Sequence, residues 1–295
     1  MKNILLILFA ISFVTNLNSQ ANLLNAKNPS EIGKKQNDEE DKSLEYAEID
    51  DSDILWSKVV YEYIDLNEKL NFPLLYPTID ANYGDTRKSL WKVIKDAVNS
   101  GEINEVYAER NDNFLPQNKI IGGDSLGIKN YTISEKFSNT WTEEDDAESP
   151  TFVESNQIYA YKIKGVWFFD KKHAELKYRL LGLMPVGKNL KQDDGGNDTG
   201  YFWLWYPQIR EILSKHKVFN DRNNNNRISF DDLLVNRRFS SFIYKYNNVY
   251  GDREIKDYIV KRDNETDYQH QLRLLMESER IKKEILDFEI DMWGY

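Results

Sequence analysis

The most definite chemical pattern in the chain runs from Asp221 to Asp232. Asp221, Asn223, Asn225 and Ser229 stand where a twelve-residue loop presents oxygen ligands to calcium, Asp232 stands at the last ligand position, and Ile228 takes the apolar seat. Two residues depart from that pattern. Asn226 replaces the glycine of the sharp turn, and Asp232 replaces the bidentate glutamate. Carboxylates at Asp221 and Asp232 alone give weak affinity at best, so the stretch reads first as an Asn-rich turn leading into a helix capped by Ser229. His173, His216 and His270 have no partner three or four residues away, which excludes a helical zinc pair and leaves them as surface histidines. No Gly-x-Ser-x-Gly elbow and no glycine-rich phosphate loop is present. No catalytic residue, cofactor site or metal site is assigned.

Aromatic residues are the other conspicuous resource. The blocks Trp167-Phe168-Phe169 and Tyr201 to Tyr206 suit a protein core or a protein interface ahead of a sugar-stacking platform, because aromatics dominate the first two. Trp167, Phe168, Trp203, Trp205 and Tyr206 are the interface candidates.

The elements that must position these residues centre on 159–185. Its two halves are β-branched and aromatic and read as adjacent strands, with Gly165 marking a bulge or a close backbone approach and Pro185 ending the second strand. Ser52 is expected to cap a helix with Trp56, Val59, Val60, Tyr63 and Ile64 on its apolar face. A second helix is expected over 87–100, with Leu90, Val93, Ile94, Ala97 and Val98 inward, Asp85 or Thr86 as cap and Gly101 as terminator. Short strands are expected near Val106-Tyr107 and over 129–133, a turn at Gly122-Gly123 and an acidic loop over 143–150. Pro207 opens a short helix ending near His216. Ser229 and Asp232 open another, with Val235, Phe239, Phe242, Ile243 and Tyr246 on its face. The last helix, 265–291, repeats Leu274, Ile281, Ile285, Phe288 and Met292 as a packing seam, with Ser278 in a seat that suits an apolar residue. That seam is expected to lie on the protein's own body. The fold class is α+β: a mostly antiparallel central sheet with packed helices and a long C-terminal helix.

The chain has 295 residues, a net charge of −10, 7 Trp, 18 Tyr and no cysteine. An acidic chain repels phosphate, so nucleic acid is not an expected partner. Without cysteine there is no disulfide, thiolate catalysis or N-terminal lipid anchor. Lys2, an apolar run over 4–14 and the polar residues ending at Ser19 read as a signal peptide over 1–19, the run being shorter than the ~20 residues of a spanning helix. Residues 20–50 read as an acidic flexible tether and 51–295 as one globular domain.

Several phrases then fall in a fixed order: Ile64-Asp65-Leu66-x-Glu68-Lys69-x-Asn71-x-Pro73-Leu74-x-Tyr76-Pro77, Trp167-Phe168-Phe169-Asp170-Lys171, Trp203-x-x-Tyr206-Pro207-x-x-Arg210, Val218-Phe219-Asn220, Phe230-Asp231-Asp232, Arg237-x-Phe239-Ser240-Ser241-x-Ile243, Asn248-Val249-Tyr250 and Asp252-Arg253. Together they resemble the gliding-motility family GldN, called PorN in non-gliding relatives, over nearly everything from Ser52 to Tyr295. The resemblance implies a non-enzymatic, periplasmic structural subunit of the type IX secretion system, peripheral to the outer membrane. It also implies a multimeric ring formed with a GldK/PorK-like lipoprotein, and contact with the periplasmic part of a GldM/PorM-like motor protein. The alternatives are a secreted carbohydrate- or calcium-binding module and a hydrolase with an unrecognised carboxylate site.

Overall fold

A computed structural model describes residues 43, 46–80, 87–121, 153–188, 199–219 and 228–293. The expected signal peptide, most of the expected tether, the caps Asp85 and Thr86, the Gly122-Gly123 turn, the 129–133 strand and the 143–150 loop lie outside them. In chain order the described elements are β1 (Ile54–Asp65), α1 (Phe72–Leu75), α2 (Leu90–Ser100), β2 (Glu105–Ala108), β3 (Lys119–Ile121), β4 (Ile158–Asp170) and β5 (Glu175–Gly187). They continue with β6 (Thr199–Gly200), β7 (Phe202–Trp205), α3 (Tyr206–Ser214), α4 (Phe230–Val235), β8 (Phe242–Tyr246), α5 (Ile255–Tyr258) and α6 (Asp267–Trp293).

The predicted central hairpin is β4–β5, paired from Ile158↔Gly187 to Asp170↔Glu175. The bulge expected at Gly165 is present, and the close approach there is made by a side chain, not by backbone. The register shifts between Lys164 and Gly165, and a Cβ on Gly165 would lie 2.1 Å from the Tyr178 hydroxyl oxygen. Pro185 does not end β5, which runs on to Gly187. Its carbonyl accepts from the Tyr201 N–H at 3.0 Å, and its missing donor falls on that same edge, at the break between β6 and β7. The sheet is antiparallel throughout, in the order β3-β2-β7-β5-β4-β1-β8, with β6 beside β5.

The helix expected after Ser52 is instead the long strand β1, paired with β4 on one edge and β8 on the other. Trp56, Val60 and Ile64 are four apart, a spacing that shares one side in a strand as well as in a helix. Val59, Tyr61 and Tyr63 then occupy the opposite side. Large residues on both sides mimic a helical stripe, and the β-branched and aromatic composition decides for strand.

One sheet face carries the helices. Ile64, Tyr161, Ile163, Leu180, Leu183 and Leu204 meet the apolar sides of α2, α3 and α4 in the main core. Helix α2 buries Leu90, Val93, Ile94, Ala97 and Val98 as predicted and ends at Gly101, whose φ of 81° is open to glycine without strain. Its cap is Ser89, whose Oγ accepts from the Lys92 N–H at 3.0 Å. Burying each of these leucine, valine and isoleucine side chains contributes roughly 1.5–3 kcal/mol. Pro207 sits in the first turn of α3, as expected.

The helix opened by Ser229 stops at Val235, well short of the expected Tyr246. Arg237 takes a left-handed φ of 52°, and Phe242–Tyr246 then joins β1 as an edge strand. Helix α6 lies over this edge, and its seam residues Ile281 and Ile285 pack with Val60, Ile243 and Tyr246. Ser278 belongs in that seam for a polar reason: fully buried, its Oγ accepts the Ile243 N–H at 2.7 Å. It gives an otherwise orphaned edge-strand donor a partner.

Candidate functional site

The helix-covered face is closed by two arginine–carboxylate clusters. Glu62 points inward from β1 and is 1% exposed. Arg237, turned by its left-handed backbone, grips both Glu62 oxygens at 2.9 and 2.6 Å, and the Ser241 hydroxyl adds a third bond at 2.5 Å. The guanidinium lies over Tyr178 at 4.3 Å and over Trp167 and Phe239 at 5.3 Å. Burial pushes the Arg237 pKa down, but the Glu62 bond and charge outweigh it and hold the cation above its ordinary range. A cavity of 150 Å³ beside this pair is lined by Glu62, Trp167, Arg237, Ile243, Lys282 and Ile285 among others. It is well below the roughly 300 Å³ at which small-molecule sites begin.

In the second cluster, Arg210 of α3 meets Asp231 of α4 through Nε and a terminal nitrogen, both at 3.0 Å. The Tyr206 hydroxyl donates to the same carboxylate at 2.8 Å. Burial, then the Asp231 charge, raises the Tyr206 hydroxyl well above its usual pKa and keeps it a donor. Tyr46 places its ring 4.0 Å from the Arg210 guanidinium and 4.9 Å from that of Arg179, and its hydroxyl donates to the Leu180 carbonyl at 3.4 Å. Residue 46, near the end of the stretch read as a tether, is thus seated on the body. Asn71 is a further polar clamp: fully buried, it donates to the Asp65 and Ser240 carbonyls at 2.8 and 2.9 Å and accepts from the Ser240 N–H at 2.8 Å. These are satisfied ionic and amide clusters with structural geometry.

The opposite face is built differently. Tyr61, Tyr107, Trp203 and Met184 form its buried floor, with Tyr63, Trp205 and Tyr244 partly buried around them. Its described cover is the segment after β2. Phe114 meets Tyr107, Trp203 and Trp205 at 5.2, 6.1 and 4.9 Å, and the Trp203 indole donates to the Glu109 carbonyl at 2.9 Å. Lysines thread the rings. Lys245 lies 4.4 Å and Lys164 5.2 Å from the Tyr61 ring centre, and Lys162 lies 5.4 Å from that of Tyr244. Asp112 binds Lys245 at 2.7 Å, and its carbonyl accepts from Lys164 at 2.6 Å. Burial lowers the Lys164 pKa, Asp112 raises it in part, and Lys245 lowers it further.

The interface candidates divide accordingly. Phe168, Trp203 and Tyr206 are buried within the chain, whereas Trp167 and Trp205 remain partly exposed. Of the calcium-loop candidates, Asp221, Asn223 and Asn225 lie outside the described residues. Ser229 and Asp232 satisfy each other: Ser229 Oγ accepts from the Asp232 N–H at 3.0 Å, and the Asp232 carboxylate accepts from the Ser229 N–H at 3.3 Å. Among the described residues no group of three or more His, Cys, Asp or Glu is placed to hold a metal ion. Of the histidines, His173 is exposed with Nδ1 2.6 Å from Asp170, while His216 and His270 are partly buried rather than on the surface. The clamp residues Glu62, Arg210, Asp231 and Arg237 were missed as a group. The available signal was an arginine or carboxylate standing inside an otherwise apolar phrase.

No helix among the described residues is long and apolar enough to cross a membrane. No curated protein matches the chain. The family model described as gliding motility associated protein GldN matches residues 49–294, which includes every element from β1 to α6. The chain belongs to the GldN family of gliding motility associated proteins.

Proposed function

We propose that this protein is a non-enzymatic structural subunit of the type IX secretion and gliding machinery. It sits in the periplasm against the outer membrane, builds a ring with a GldK/PorK-like lipoprotein and meets the periplasmic part of a GldM/PorM-like motor protein. The observation that carries this reading is the family match across the whole folded body. The architecture supports it: the buried carboxylates are closed within the chain, Asp231 of α4 by Arg210 of α3 and Glu62 of β1 by Arg237 of the turn after α4, while Trp167 and Trp205 keep part of their aromatic surface outward.

The test is affinity capture of the mature chain from a detergent extract of its own envelope. Recovery of the lipoprotein in near-equal amount, with loss of secretion on gene deletion, is the expected result. Capture without the lipoprotein, and secretion unaffected by deletion, would remove the reading. An acidic surface meeting a basic partner further predicts that raising salt weakens the complex; an affinity indifferent to ionic strength would remove that electrostatic component.

A further inference from the structure

Helix α6 is apolar on two opposite sides. Its inward stripe, Leu274, Ser278, Ile281, Ile285, Phe288 and Met292, advances in steps of four, three, four, three and four. A second stripe has the same rhythm displaced by two residues: Leu272, Met276, Glu279, Lys283, Leu286 and Ile290. A two-residue shift turns a helix by roughly 200°, so this stripe faces away from the sheet except at its margin, where Leu286 also lines the cavity beside Glu62 and Arg237. Leu272, Met276, Leu286 and Ile290 are 44%, 63%, 53% and 66% exposed.

The outer stripe reads the same from both ends. Reversed about Ile281, Leu272 falls on Ile290, Met276 on Leu286 and Glu279 on Lys283. Apolar residues exchange with apolar ones, and the acid exchanges with the base. This is the layer pattern of two antiparallel helices packing knobs into holes. A two-fold contact requires such self-complementarity.

We propose that a second copy of this chain covers the stripe, with the two α6 helices antiparallel about a two-fold axis beside Ile281. Two leucine–isoleucine layers and two methionine–leucine layers flank a centre where each Glu279 meets the second copy's Lys283. In a parallel pair Glu279 meets Glu279 and Lys283 meets Lys283, so the charges also set the direction. Arg280 approaches its own counterpart near the axis, but Glu277 and Glu284 of the same chain already hold it at 2.7 and 3.2 Å; Glu279 is held by Lys282 of its own chain at 2.9 Å, and the second copy's Lys283 joins that pair as a further cation. The contact rests on the helix alone: a dimer that binds no lipoprotein leaves it standing and removes the ring reading instead.

The experiment is sedimentation of the mature full-length chain over roughly 1–100 µM, the range of dissociation constants expected of a small reversible contact. A reversible dimer is expected. Glu279→Lys or Lys283→Glu alone should weaken it at least about tenfold, and mixing the two variants, or combining them in one chain, should restore it. These residues lie on an exposed face, and unchanged helical circular dichroism confirms the fold of each variant. Because the chain has no cysteine, Met276→Cys and Leu286→Cys variants should cross-link when mixed and much less when separate. A wild type that stays monomeric throughout the range, charge variants that associate like wild type, or equal cross-linking by either cysteine variant alone would overturn the proposal.

Discussion

The two faces of the sheet solve the same problem with different materials. On the helix side, two carboxylates are buried and each is closed by an arginine: Glu62 by Arg237, Asp231 by Arg210. On the other side, lysines lie over tyrosine and phenylalanine rings and share Asp112, and the described cover is a connecting segment. The difference teaches where single substitutions matter. A buried carboxylate stripped of its cation keeps its desolvation cost, whereas a partly exposed lysine recovers solvation when its partner is lost.

Breaking the helix side should therefore have the largest effect. Arg237→Ala leaves Glu62 buried and unpaired and should lower unfolding stability by about 3–5 kcal/mol in a urea titration. Gly165→Ala acts on the same side by crowding: its methyl meets the Tyr178 ring, and a loss of about 1–3 kcal/mol is expected. If either change matches the loss from Lys245→Ala, the contrast between the faces is wrong.

The end of the hairpin sharpens the comparison through pH. Asp170 is held well below the usual carboxylate range by the Lys177 hydrogen bond, then by His173, against some desolvation. A depressed carboxylate pKa stabilises the fold above the unfolded pKa, near 3.8, and that contribution fades as pH falls through the folded value. Asp170→Asn should thus melt below wild type at neutral pH, with the gap narrowing below pH ~4. A gap that widens in acid contradicts the assignment. Tyr46→Ala removes a ring stacked on Arg210 and should cost about 1 kcal/mol, read as a lower Tm. Lys245→Ala, on the lysine–aromatic face, should cost less than about 1 kcal/mol, because both partners keep access to water.

The sequence made the hairpin legible because β4 and β5 carry long aromatic and β-branched runs, with a glycine where the strands need room. Helix α2 was legible from one clean stripe and a terminal glycine, and α6 from a repeat sustained over several turns. β1 was not, because Trp56, Val60 and Ile64 satisfy helix and strand alike until partners on both edges are known. The stretch from Val235 to Tyr246 misled for a related reason: nothing local announces that Arg237 will adopt a left-handed turn to reach Glu62. The clamp itself spans 175 positions in sequence, so a reading of local pattern places those two charges on the surface. Ser278 was visible as an anomaly in the seam, and only the edge strand explains it.

The central claim is that this body is a part made for assembly. Sedimentation of the purified chain mixed with the GldK/PorK-like lipoprotein, solubilised from the same envelope, tests it most directly. The account predicts one faster boundary containing both chains in fixed proportion. Two boundaries that sediment independently at tens of micromolar would contradict it.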